Sequence, residues 1–264
     1  MTTAGGRNLT TFVFDLDGTI CFNGQPVSEV ILRCLEDLTA TGHKVIFASA
    51  RPIRDLLPVL HQRFHEYPLI GGNGSLISIN GKIAHVESFS EDQMQGLFRL
   101  IEEHQATFLI DSDWDYAYTG PVDHPILHKI DHSKLARQVP VHSLKSVIKI
   151  LILTAEDMES LAEKFRALGV TVHRHRKEHI IDVNPPQVDK WTALKKLGVD
   201  EQQFVAFGND SNDIPMFKTA LHSVMIGHHD ELKPFASESI PLEDNVEDQI
   251  VAKILELANQ QLAV

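Results

Sequence analysis

A chain of 264 residues, 43% hydrophobic and 23% charged, has the material for one large α/β domain or for a core with a second domain inserted, which excludes a disordered or fibrous chain. Its formal net charge of -12 argues against a diffuse electrostatic grip on nucleic acid or anionic membrane, so any positive field around a bound phosphate must be local. Two cysteines, Cys21 and Cys34, are too few for a disulfide framework or a zinc centre and suit a reducing compartment. Residues 1–10 hold no apolar stretch of signal-peptide length, and nowhere is there an apolar run of about 18 residues, so the chain reads as cytoplasmic.

Along the first part, short β-rich runs alternate with helical patterns, the signature of a parallel sheet wound with helices. Thr11-Phe12-Val13-Phe14 reads as a buried strand. Ser28 is placed to cap a helix whose apolar positions Val30, Ile31, Leu35 and Leu38 share a face, with Gly42 placed to end it. Lys44 to Ala48 is a second strand. Arg51 to Phe64 reads as a helix in which Pro52 suits the first turn and Pro58 kinks or shortens the remainder. A third strand falls near Leu69-Ile70.

The pattern then changes. Ser75 to Ile79 and Lys82 to Val86 are alternating runs joined by Asn80-Gly81, a strong two-residue hairpin signal. Ser90 with Gln93 carries the capping-box pattern for a helix to about His104, followed by a strand at Thr107-Ile110 and a polar, aromatic loop from Asp111 to Pro125. Val147 to Leu153 is a strand, Glu156 to Leu168 a helix closed by Gly169, and Val170 to Val172 and His179 to Val183 are further strands. From Lys190 the earlier rhythm returns: a helix to Leu197, a strand Phe204-Phe207, a helix from Ile214, a strand Ser223-Ile226 and a last helix from Val246 to Ala258. The expected fold class is α/β, a Rossmann-like doubly wound parallel-sheet core of residues 1–80 and 187–264 around an inserted α+β cap of residues 81–186.

Asp15-Leu16-Asp17-Gly18-Thr19 follows the first strand directly, so two carboxylates emerge at its C-terminal end, where open α/β sheets bind ligands. Residues i and i+2 of extended backbone point the same way, and two such acids repel unless a cation or a proton lies between them. That arrangement suits attack on a phosphate ester: one carboxylate is the nucleophile, and the other protonates the leaving oxygen and later activates water.

Three further stretches join the first in resembling the haloacid dehalogenase superfamily. Phe47-Ala48-Ser49-Ala50-Arg51 resembles its second motif, Lys190 its third, and Gly208-Asn209-Asp210-Ser211-Asn212-Asp213 its fourth. The cap's place between the second and third motifs resembles the Cof-type, subclass IIB, phosphatases, as does Ile70-Gly71-Gly72-Asn73-Gly74. The resemblance implies Asp15 as nucleophile and metal ligand, and Asp17 as general acid/base whose carbonyl also meets the metal. Leu16, Ser49, Ala50, Lys190 and Asn212 would hold phosphate, and Asp213 would orient Lys190 or the metal's water shell. It further implies Mg²⁺ as cofactor and a small phosphorylated metabolite as substrate, with no nucleic acid or membrane partner; it leaves oligomeric state open. A phosphomutase of the same fold and a catalytically weak metabolite-binding regulator stay open beside the phosphatase.

One position departs from the family pattern, because Asn209 stands where the fourth motif usually carries a metal-binding Asp. The metal-side candidates are therefore Asp15, Asp17, Asn209, Asp210 and Asp213, with Asp210 expected to replace the missing carboxylate because it is nearest in sequence. The dense basic run from His173 to His179 reads as a solvated cap hairpin or as a surface meeting an anionic substrate. Trp114, Tyr116 and Tyr118 read as cap packing or as stacking platforms. Hinges are expected near Gly81 and Pro185-Pro186.

Overall fold

The computed structural model describes residues 9–128, 130–175 and 179–260. The chain starts with β1 (Thr11–Phe14), α1 (Glu29–Ala40), β2 (Lys44–Ala48) and α2 (Ile53–Leu56), then β3 (Leu69–Gly71), β4 (Leu76–Ile79) and β5 (Lys82–Val86). An inserted stretch follows: α3 (Glu91–Glu103), β6 (Thr107–Ser112), β7 (Tyr116–Tyr118), β8 (Val147–Thr154), α4 (Met158–Ala167), β9 (Thr171–His175) and β10 (Ile180–Asn184). The return comprises α5 (Lys190–Lys196), β11 (Phe204–Gly208), α6 (Ile214–Thr219), β12 (His222–Ile226), β13 (Glu238–Ile240) and α7 (Val246–Asn259).

Eight strands form the core sheet in the order β13-β12-β11-β1-β2-β3-β4-β5. From β13 to β3 the pairing is parallel, and the last two pairings, β3 with β4 and β4 with β5, are antiparallel. β1 lies between β2 and β11, so connections depart in opposite directions beside it and leave a crevice at the strands' C-terminal ends. Burial on both faces explains why these strands are apolar throughout. Phe12 and Phe14 enter one hydrophobic cluster while Val13 enters the other, as a period of two requires. Phe14 stacks on Phe207 across the β1–β11 pair with centroids 4.9 Å apart, and each buried ring contributes about 1.5–3 kcal/mol.

The inserted sheet, ordered β7-β6-β8-β10-β9, is antiparallel and has two unlike faces. Phe108, Ile110, Ile150, Ile152, Ile181 and Val183 bury themselves with Leu97, Ile101, Leu161 and Phe165 of α3 and α4. Asp111 lies opposite Lys149, and Leu109 and Asp182 both lie opposite Leu151; such partners share a face, and this one looks onto the core.

Several expectations change. Lys82–Val86 belongs to the core sheet, not the cap, because the Asn80-Gly81 turn folds it back on β4, which is already paired to β3. The stretch 51–64 is one α-helical turn followed by two 3₁₀ turns, Leu57–Val59 and Gln62–Phe64, since Pro58 brings no N–H to continue the ladder. Ser28 occupies the N-cap position of α1 without a side-chain cap bond, and Val30 is exposed while Leu32 and Cys34 join the buried stripe. The loop expected over 111–125 contains the edge strand β7, and β13 is too short to show a period. The capping box at Ser90 and Gln93 forms as expected.

Candidate active site

Asp15 is the first residue beyond β1, held in line by its N–H donating to the Phe207 carbonyl of β11 at 3.0 Å. Its Oδ1 accepts from the Lys190 ammonium at 2.6 Å and its Oδ2 from the Thr19 hydroxyl at 2.8 Å. Lys190 opens α5, whose start is fixed by an Asp189–Thr192 capping box, and its ammonium also donates to Asp213 Oδ1 at 2.6 Å. The Asp213 Oδ2 accepts the backbone N–H groups of Asn209 and Asp210 at 2.8 and 3.1 Å. Lys190 and Asp213 are wholly buried, and Asp15 nearly so.

Burial pushes the Asp15 carboxyl up to about 7, against the pull of Lys190, while the neighbouring Asp213 adds to the rise. Burial alone would lower Lys190, but Asp15 and Asp213 outweigh it and hold the amine above its ordinary value. The lysine therefore stays an ammonium at neutral pH, a positive charge that the Asp15 and Asp213 carboxylates share.

The second motif ends β2. The Ser49 N–H donates to Ile70 and its hydroxyl oxygen accepts the Arg51 N–H at 3.1 Å, which leaves the hydroxyl proton available to a ligand. Leu16 has its side chain in the core, and its carbonyl accepts the N–H groups of Thr19, Ile20 and Cys21, so only its backbone can serve a phosphate. Asn212 donates through Nδ2 to Asn73 Oδ1 at 3.1 Å.

In the fourth motif the geometry differs from expectation. Asp210 Oδ1 accepts the Ser211 N–H at 2.6 Å and pairs at 3.1 Å with His229 of the loop after β12, so this oxygen is engaged within its own turn and by the neighbouring loop. Asn209 is the side chain beside Asp15: its Oδ1 lies 3.3 Å from the Thr19 hydroxyl, the same hydroxyl that bonds Asp15. Gly18 makes room for that amide, since a Cβ there would stand 2.1 Å from Asn209 Nδ2. Asp213 has both oxygens committed, to Lys190 and to two amides. Among the described residues, no three His, Cys, Asp or Glu side chains gather as a ready ligand set.

The family model described as haloacid dehalogenase-like hydrolase matches residues 12–255. The chain belongs to the haloacid dehalogenase-like hydrolases. A curated relative, the 5-amino-6-(5-phospho-D-ribitylamino)uracil phosphatase YitU of Bacillus subtilis, is 24% identical over 85% of this chain and 89% of its own. A phosphoglycolate phosphatase of Nitrosopumilus maritimus is 22% identical over 87% and 89%. Among solved structures, the subclass IIB sugar phosphatase BT4131 superposes with a TM-score of 0.76 at 18% identity, covering 94% of this chain and 98% of that one, a likeness of fold.

Two features of this hydrolase are not readable from the sequence. Arg51 clasps Asp17 with both ends of its guanidinium, Nε to Oδ2 at 2.7 Å and Nη2 to Oδ1 at 2.5 Å. Arg51 is visible as the last residue of the second motif, but nothing in spacing aims it at Asp17. The cap also meets the site: Lys149, paired with Asp182 at 2.8 Å, donates to the Ala50 carbonyl at 3.0 Å. Nearby, buried Arg54 pairs with Asp111, donates to the Trp114 carbonyl and lies over the Tyr116 ring, while Asp55 accepts the Asp131 N–H. Tyr116 and Trp114 thus serve the seam between cap and core. Tyr118 bonds the Pro121 carbonyl, and residues 176–178 of the basic run lie outside the described residues.

Proposed function

We propose that this hydrolase is a magnesium-dependent phosphomonoesterase acting on a small phosphorylated metabolite, a sugar phosphate or similarly small ester, through an aspartyl-phosphate on Asp15. The observation that carries the reading is the buried Lys190 ammonium held between Asp15 and Asp213 at the C-terminal end of the central strands. A phosphate dianion approaching a carboxylate meets a repulsion on the order of several kcal/mol at an effective dielectric of about 20. Lys190 offsets it, and the Ser49 hydroxyl, the Ala50 N–H and the Asn212 amide supply fixed donors as charge moves in the transition state.

In the first step Asp15 attacks phosphorus, the bond from phosphorus to the ester oxygen breaks, and that oxygen takes a proton from Asp17. In the second, Asp17 removes a proton from water, the water oxygen attacks phosphorus, and the Asp15 carboxylate leaves as inorganic phosphate departs. Arg51 holds both Asp17 oxygens, so proton delivery requires at least one of them to let go.

The donors around Asp15 are the hard oxygens that magnesium takes, a carboxylate, a hydroxyl and an amide oxygen close together. Asp15, the Asp17 carbonyl and Asn209 would hold the ion, with water completing the set, and it would supply positive charge beside the phosphoryl oxygens. The test is hydrolysis of p-nitrophenyl phosphate by purified protein, expected only with a divalent metal and abolished in Asp15→Asn. Wild-type turnover in Asp15→Asn would sink the covalent route.

A further inference from the structure

The turn Gly71 to Gly74 reaches the second-motif loop, Asp189 at the start of α5, Asn212 and the cap, and Asn73 is its centre. Asn73 has φ of 59°, the left-handed region where glycine costs least, so the backbone does not require a side chain here. Yet the Asn73 side chain is almost wholly buried, and its polar atoms are all engaged. Its Oδ1 accepts from Asn212 at 3.1 Å, and its Nδ2 donates to Asn184 at 3.0 Å and to Asp182 at 3.3 Å, both on β10 of the cap. Its N–H donates to the Ser49 carbonyl at 3.1 Å. One residue therefore reaches the phosphate-side serine by its main chain, the phosphate-side asparagine by one end of its amide, and the cap by the other end.

The contacts close into a circuit. Asp182 pairs with Lys149, and Lys149 donates to Ala50, so the path from Asn212 through Asn73, Asp182 and Lys149 returns to the phosphate-side loop. A carboxamide is planar, so its oxygen and nitrogen turn together. Lifting the cap takes away the partners of Nδ2, frees the amide to rotate, and loosens the oxygen that holds Asn212.

We propose that Asn73 is a positioning residue that ties the seating of the cap to the grip on the phosphoryl group, a role that rests on the phosphatase reading above. It predicts that the phosphate side is set only when the cap is down, which restricts turnover to esters that fit beneath it.

Two variants of the full chain test this, with kcat and KM for p-nitrophenyl phosphate and calorimetric affinity for inorganic phosphate, each variant checked for a cooperative melt. Asn73→Gly suits the backbone and deletes the amide; kcat/KM should fall about ten- to a hundredfold, with weaker phosphate binding. Asn73→Asp keeps the acceptor for Asn212 but sets a carboxylate against Asp182, with a similar loss. Asn73→Asp is isosteric and leaves Asn212 its acceptor, so its loss has to come from the cap-side bonds, which a mere packing role would not predict. Wild-type kcat, KM and phosphate affinity in folded Asn73→Gly, or in folded Asn73→Asp, overturns the proposal. A wild type that binds phosphate without hydrolysing esters would sink the phosphatase reading and leave the affinities to decide the coupling. One that does neither ends both.

Discussion

Replacing Asp213 with Asn removes one charge from the centre of the site while keeping its shape. Asp213 is fully buried; one oxygen holds the Lys190 ammonium at 2.6 Å and the other two backbone amides. An amide has one acceptor oxygen for these two jobs. If the oxygen serves the N–H groups of Asn209 and Asp210, its NH₂ faces the ammonium, donor against donor; if it serves Lys190, the NH₂ faces two N–H groups. Breaking a buried ion pair from one side costs about 3–5 kcal/mol. A chain of this size loses about 2–4 °C of melting temperature per kcal/mol, so the melt should fall by roughly 6–20 °C. Because Lys190 also loses one of its two anchors, kcat should fall about a hundredfold or more. Thermal denaturation followed by circular dichroism and steady-state hydrolysis at saturating metal measure the two effects. A melt within about 2 °C of wild type, together with kcat within about threefold, would refute the argument that Asp213 is what holds the lysine.

Three other outcomes are expected. Burial pushes the Asp55 carboxyl up to about 6 from 3.8, against the pull of Arg54; the folded state thus holds the proton more tightly, so this contribution is full below about pH 4 and lost as pH rises through 6. Asp55→Asn should therefore remove about 2 kcal/mol from the difference in urea unfolding free energy between pH 4 and pH 7, and an identical difference in both proteins would contradict this. At Gly74, φ is 116° and a Cβ would stand 2.3 Å from the Asp189 carbonyl, so Gly74→Ala should cost about 3 kcal/mol or more and displace Lys190, read as a lower melt with reduced kcat. Asn209→Asp should lower the magnesium concentration for half-maximal activity about tenfold, whereas Asp210→Asn should change it by less than about threefold; the reverse order would return the ligand role to Asp210.

The parts of the site that are legible in the sequence are those fixed by short-range rules. Asp15 follows an apolar strand, Lys190 opens a helix capped by Asp189, and both lie where a parallel sheet delivers its ligands. The parts that are not legible depend on side-chain direction. Asn209 and Asp210 are neighbours, but the backbone turns one toward Thr19 and the other toward His229, so nearness in sequence does not tell which of them stands beside Asp15. The Arg51–Asp17 clasp spans 34 residues and the Asn73–Asn212 bond 139, separations at which no periodicity carries information. The turn at Asn80-Gly81 is plain in the sequence, but its second strand reads as cap only while antiparallel pattern is equated with the insertion; the core sheet has an antiparallel edge of its own.

The unlike faces of the inserted sheet divide its sequence into two sets under different physical demands. Along β6, Phe108 and Ile110 answer to the cap's own interior, while Leu109 and Asp111 answer to whatever lies between cap and core. Exchange at the first set is limited by packing, whereas exchange at Leu109, Leu151 or Ile180 alters the surface that faces the core without disturbing the helices behind it. A library confined to those three positions, which spares the Lys149–Asp182 pair, should stay folded while changing which esters are turned over.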